Sequence, residues 1–134
     1  MSDAIDSAFD KLGAYFADQA DMRLAVVFGS VASGLATAGS DLDVAVLATH
    51  ALSAESRARL IAELAQMTGR PIDLIDLRQA GVPVARSALV SGCVVFATDD
   101  YVYPAQVSRM LIDAADFLPY RERILKERRE SWLS

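Results

Sequence analysis

The stretch that most restricts the possible folds is Gly29-Ser30-Val31-Ala32-Ser33-Gly34-Leu35-Ala36-Thr37-Ala38-Gly39-Ser40-Asp41-Leu42-Asp43. Its small side chains have little to bury, yet it joins two runs built for an interior. Ahead of it, Leu24-Ala25-Val26-Val27-Phe28 is a β-branched and aromatic run of strand length that stops at Gly29-Ser30. Behind it, Leu42-Asp43-Val44-Ala45-Val46-Leu47 is a second such run with a carboxylate embedded near its start. Two buried strands joined by a glycine-punctuated segment commit the chain to a sheet. Residues two apart on a strand share a face, so Asp41 and Asp43 project together at the mouth of that sheet.

The rest of the chain alternates helix and strand patterns. Ile5, Phe9, Leu12 and Phe16 mark an amphipathic helix over about residues 3–20. Ser53 suits an N-cap, and Leu60, Ile61, Leu64 and Met67 follow at helical spacing up to a stop at Gly69. Pro71-Ile72-Asp73-Leu74-Ile75-Asp76-Leu77 reads as a third strand with Ile72, Leu74 and Asp76 on one face and Asp73 and Ile75 on the other. A short helix from Val84 to Val90 ends at Gly92, and Cys93-Val94-Val95-Phe96 is a fourth, core strand. Pro104 fits the first turn of a last helix with Val107, Leu111, Ala114 and Leu118 on its buried side, which Pro119 is expected to break or kink. Ile124, Leu125 and Trp132 then form a helical set suited to a partner surface or to self-burial. The expected organisation is α/β: a single domain over 1–134, with a core of about 1–100 and a helical tail of about 101–134 as a candidate partner-binding extension.

Composition excludes several functions. At 134 residues with 53% hydrophobic side chains, the chain is of one-domain size and is not disordered. No apolar run approaches the ~20 residues of a membrane span, and the acidic N-terminus lacks the features of a signal peptide, so a cytoplasmic location is expected. A net charge of −5 argues against binding long nucleic acids. Charge is uneven, though: Asp3, Asp6, Asp10, Asp18 and Asp21 crowd the start, while Arg121, Arg123, Lys126, Arg128 and Arg129 gather near the end. The lone Cys93 allows no internal disulfide and reads as packing, His50 as an exposed loop residue, and Tyr101 and Tyr103 as packing or capping neighbours.

The chemistry is carried by the carboxylates. Two held side by side repel unless a cation or a proton sits between them. Mg²⁺ accepts one or two carboxylates together with substrate phosphates. A Gly-Ser turn complements such a site, because glycine admits a phosphate close to the backbone and N–H and hydroxyl groups donate to its oxygens. A third carboxylate would complete a two-metal site for in-line displacement at phosphorus. Asp73 is the first candidate, since a lone carboxylate in a core strand is costly unless paired or metal-bound, and Asp76 is the second.

Gly29-Ser30, Gly34 four residues after the serine, and Ser40-Asp41-x-Asp43 together resemble the nucleotidyltransferase domain of the DNA polymerase β superfamily. Within it the short chain is similar to the minimal nucleotidyltransferases, which include the MntA-type antitoxins paired with HEPN-domain toxins. The resemblance implies a small mixed four-stranded sheet flanked by helices, with a C-terminal helical extension. It implies that Asp41, Asp43 and Asp73 are the catalytic and metal-binding residues for two Mg²⁺ ions. It also implies that Gly29, Ser30 and Ser40 bind nucleotide, with Gly29 and Ser30 on the β- and γ-phosphates. The implied reaction moves AMP from ATP to a hydroxyl, that of a tyrosine, on a HEPN-type toxin partner. One position departs from the pattern: a basic residue often precedes the second glycine, and here Ser33 stands there. That departure keeps open a non-catalytic antitoxin that acts by binding, and the site alone also admits a nucleotidyltransferase for a small-molecule alcohol.

Overall fold

The structure is a computed structural model describing residues 2–133, with side chains described over residues 7–115 and at Arg123, Lys126 and Arg128. Five helices and four strands alternate: α1 (Ser2–Ala17), β1 (Met22–Phe28), α2 (Gly29–Ser33), β2 (Leu42–Ala48), α3 (Ala54–Thr68), β3 (Ile72–Asp76), α4 (Val82–Ser91), β4 (Cys93–Ala97) and α5 (Val102–Leu133). The strands form one sheet in the order β3-β2-β1-β4. β1 pairs antiparallel with both β2 and β4, whereas β2 and β3 run parallel across the α3 crossover. This is the mixed four-stranded sheet expected of the sequence.

Strand alternation sorts the core into two layers. Ala25 and Val27 of β1, Leu42, Val44 and Val46 of β2 and Leu74 of β3 are buried with Leu12 and Phe16 of α1 and Leu60 and Leu64 of α3. The other face of the sheet carries Leu24, Val26, Ala45 and Leu47, buried with Ala88 and Leu89 of α4 and Val102 and Met110 of α5. Asp43, between Leu42 and Val44, therefore belongs to the α4–α5 face. α3 begins and ends as its sequence dictates: the Ser53 hydroxyl accepts from the Ser56 N–H at 3.1 Å, and Gly69 closes the helix with φ +70°. The Asp99 carboxylate accepts from the N–H groups of Tyr101 and Val102 and starts α5. No helix among the described residues is long and apolar enough to cross a membrane.

Glycine decides one packing contact. α1 crosses β4 so closely that a Cβ on Gly13 would lie 2.5 Å from the Val95 carbonyl oxygen. The backbone cannot yield as a flexible side chain would. Gly13→Ala is therefore expected to cost about 1–3 kcal/mol of overpacking, against a gain of at most ~1 kcal/mol in helix propensity. The check is a lower denaturant midpoint at unchanged m-value.

Three expectations need correction. Pro119 does not end the last helix, since α5 runs through it to Leu133; a proline forfeits one backbone bond, and a long helix absorbs that loss. Leu111 is 58% exposed, and among the described residues of α5 the buried ones are Val102 and Met110, with Val107 packed against them. Cys93 is exposed because β4 is an edge strand rather than a core strand. Of the two tyrosines expected as packing or capping neighbours, Tyr101 is exposed with its N–H in the Asp99 cap of α5, and Tyr103 is half-buried with its hydroxyl donating to the Leu89 carbonyl. The side chains of Ile5, Leu118, Ile124, Leu125 and Trp132 lie outside those described.

Candidate active site

Three strand ends meet at one corner of the sheet. β1 delivers Phe28 into Gly29, β2 opens beside Asp41 and β3 opens beside Asp73. The register sets Asp43 directly across from Phe28 on one side and from Asp73 on the other. Adjacent strands lie ~4.8 Å apart, so the carboxyl groups of Asp43 and Asp73 share one small space. They are within hydrogen-bonding reach when one of them carries a proton. The Asp43 carboxyl is held above its ordinary range first by desolvation, then by the Asp73 charge and the hydrogen bond with Asp73, and last by the Asp41 charge. Thus Asp41, Asp43 and Asp73, expected together, are brought together.

Asp73 reaches this place by register rather than by the expected burial. Its side chain is exposed, as is that of Asp41, while Asp43 is half-buried. The buried carboxylate of β3 is Asp76, 5% exposed. It lies on the opposite face and accepts from the N–H of Leu52 at 2.9 Å and of Arg78 at 2.9 Å. Asp76 therefore tethers two loops at the far end of the sheet. Asp76→Ala orphans both donors and is expected to destabilise the fold by roughly 1–3 kcal/mol for each one left unsatisfied, read by denaturant unfolding.

The segment after β1 differs from the expected open loop. Its first five residues, Gly29–Ser33, form α2, whose N-terminus has no side-chain cap. Gly29 has φ +76°, and a Cβ there would lie 2.1 Å from Asp43 Oδ2. The carboxylate thus rests against bare glycine backbone. α2 ends on Gly34 at φ +79°, with the Leu35 N–H donating to the Ser30 carbonyl at 3.0 Å and the Gly34 N–H to Val31 at 3.4 Å. This is a Schellman closure, for which Gly34 was the available signal. Ser33 Oγ donates to the same Ser30 carbonyl at 3.1 Å, so the residue in the basic position braces α2. Ser40 is likewise occupied locally: its Oγ accepts from the Thr37 N–H at 2.9 Å, and its own N–H donates to the Thr37 carbonyl at 3.1 Å.

Hard oxygen donors on adjacent strands, held in mutual repulsion and lying against bare backbone, suit a divalent cation such as Mg²⁺. Among the described residues no group of three or more His, Cys, Asp or Glu side chains is placed to hold a metal ion together. What the strands bring together is the Asp43–Asp73 pair, with Asp41 alongside as a third charge, and that pair could hold such an ion. Such partial sets match Mg²⁺, which keeps water or substrate oxygens in its remaining positions. A cavity of about 250 Å³ lined by Phe9, Lys11, Leu12, Val31, Met67 and Arg70 packs behind β2 on the α1–α3 side, away from the aspartates.

Aspartates on two neighbouring strands beside a Gly-Ser helix start are chemically suited to a metal-bound phosphate group. Residues 10–101 match the family described as polymerase beta, nucleotidyltransferase, and the chain belongs to it. It is 31% identical over 91 residues to the protein adenylyltransferase MntA of Shewanella oneidensis, an alignment spanning 66% of each chain. Among solved structures it resembles a toxin–antitoxin with AMP-PNP at TM-score 0.78 and 22% identity, covering 90% of this chain and 96% of that one. It also resembles a chain of the complex between tri-AMPylated Shewanella oneidensis HEPN toxin and MNT antitoxin. There the TM-score is 0.76 at 22% identity, with 92% and 97% covered.

Proposed function

We propose that this protein is a Mg²⁺-dependent adenylyltransferase that moves AMP from ATP to a hydroxyl of a HEPN-type toxin and thereby acts as its antitoxin. The observation that carries the reading is the Asp43–Asp73 register beside Gly29, with Asp41 adjacent. The relatives support the substrate and partner: one is a protein adenylyltransferase, one structure holds AMP-PNP and another an AMPylated HEPN toxin.

In this reading Asp41, Asp43 and Asp73 would hold the cation pair, and Ser30 with the uncapped N–H groups of α2 would receive the β- and γ-phosphates. Bound Mg²⁺ supplies charge neutralisation at the phosphates and acidifies the attacking hydroxyl. The acceptor oxygen bonds to the α-phosphorus as the bond to pyrophosphate breaks, and the hydroxyl proton leaves on the exposed Asp73 side, where solvent can take it. The site is an open rim, which suits an acceptor presented by another protein surface.

The test is intact mass spectrometry of the HEPN-domain partner after co-expression with this protein or with its Asp41→Asn, Asp43→Asn variant. Gain of adenylate masses only with the unmodified protein is the expected result. A partner that stays unmodified yet co-purifies with both forms would instead establish a binding antitoxin, the reading that Ser33 favours. Release of pyrophosphate with a small alcohol and no partner would point to a small-molecule transferase.

A further inference from the structure

The backbone on both sides of Asp41 is held from a single place, the turn between α3 and β3. On one side, Arg70 Nη1 donates to the carbonyls of Thr37 at 2.7 Å and of Ser40 at 3.1 Å. On the other, the Leu42 N–H donates to the Pro71 carbonyl at 2.8 Å. Thr37 and Ser40 also close a turn on each other, so Arg70 grips a preformed ring rather than a loose strand. Arg70 itself is aimed by its neighbours. Gly69, at φ +70°, turns the chain out of α3, and the Arg70 N–H donates to Thr68 Oγ1 at 3.3 Å. Arg70 also lines the cavity that Leu12, Val31 and Met67 border.

Resting on the adenylyltransferase reading above, we infer that Arg70 is a positioning residue for the metal site: it fixes the Asp41 carboxylate by clamping the Thr37–Ser40 turn. Asp41 is exposed. Its direction depends on the peptide before it, which ends at the Ser40 carbonyl, and on the one after it, which Pro71 anchors. Supports of this kind set ligand orientation and typically change metal affinity or activity by about 10–100-fold when removed. Both bonds come from one nitrogen, so a positive charge with one donor atom retains part of the function. Lysine supplies that and alanine does not.

The experiment compares the full chain with its Arg70→Ala and Arg70→Lys variants in two ways. Calorimetric titration of a non-hydrolysable ATP analogue is run at several Mg²⁺ concentrations, and AMP transfer to the HEPN partner is followed against Mg²⁺ at saturating ATP. Arg70→Ala is expected to need about tenfold more Mg²⁺ in both assays and to recover its rate as Mg²⁺ is raised, with Arg70→Lys in between. Should Arg70→Ala fail to fold, the lysine variant carries the same comparison. Unchanged Mg²⁺ dependence in a wild-type-like transferase overturns this inference and leaves the adenylyltransferase reading standing. A loss that Mg²⁺ does not relieve, with lysine no better than alanine, also overturns it and assigns Arg70 to fold stability alone. Wild-type protein that binds no Mg²⁺-nucleotide overturns both.

Discussion

Asp43→Asn is expected to abolish AMP transfer, by on the order of 10³-fold or about 4 kcal/mol of barrier, while making the metal-free protein more stable. The two effects share one cause. Asp43 is half-buried against Gly29 and faces Asp73, with Asp41 adding a third charge, so its carboxyl is held above its ordinary range. A carboxyl raised in the folded state binds its proton more readily there than in the unfolded chain. Stability then falls as pH rises from the ordinary carboxylate value through the raised one. Asparagine removes that penalty, and its amide can donate to Asp73 without any proton uptake. Thermal unfolding in EDTA across the acid-to-neutral range should show wild-type stability declining through this window and the variant lacking that decline. Adding Mg²⁺ with a non-hydrolysable ATP analogue should reverse the ranking, because only the wild type retains the full donor set. A variant that is less stable than wild type in EDTA would mean that Asp43 is held by favourable contacts rather than strained by the neighbouring carboxylates.

Much of this architecture was legible in the residues, because the relevant signals are local. Ser53 and Gly69 bounded α3, and the period of two in Pro71–Leu77 put Asp73 and Asp76 on opposite faces. The motif Gly29-Ser30 with Asp41 and Asp43 marked the corner where the strands meet. What stayed hidden depends on order in the sheet. Alternation does not say which strand lies at an edge, so Cys93 read as core although β4 has a neighbour on one side only. For the same reason it could not say that Asp73 would face solvent and Asp76 interior: the β2–β3 register decides that, and register is a pairing between distant segments. Arg70 was invisible for a further reason. A cation just after a helix-stopping glycine is ordinary surface chemistry, and only the fold brings the Thr37 and Ser40 carbonyls to it.

Gly29→Ala should be nearly as damaging to transfer as loss of the aspartate, by on the order of 10²-fold, since a displacement of ~1 Å in reacting groups has that effect. Two separate demands meet at this residue. The backbone sits at φ +76°, where an L side chain is strained by roughly 1–2 kcal/mol, and a Cβ would lie 2.1 Å from Asp43 Oδ2. Strain alone would lower stability, whereas the clash must push the carboxylate away from Asp73 and from the start of α2. Gly34 separates the two effects. It has nearly the same backbone conformation, φ +79°, closes the other end of α2, and has nothing within 4 Å of a built Cβ. Gly34→Ala should therefore show a similar loss of stability with transfer largely preserved. The comparison is made with both variants at a temperature where each is fully folded, reading AMP transfer and affinity for the Mg²⁺-bound ATP analogue together. Equal losses of activity in the two variants would place the requirement in the shape of α2 rather than in the contact between Gly29 and Asp43. A loss confined to Gly29→Ala would place the requirement in the bare backbone against which the Asp43 carboxylate rests.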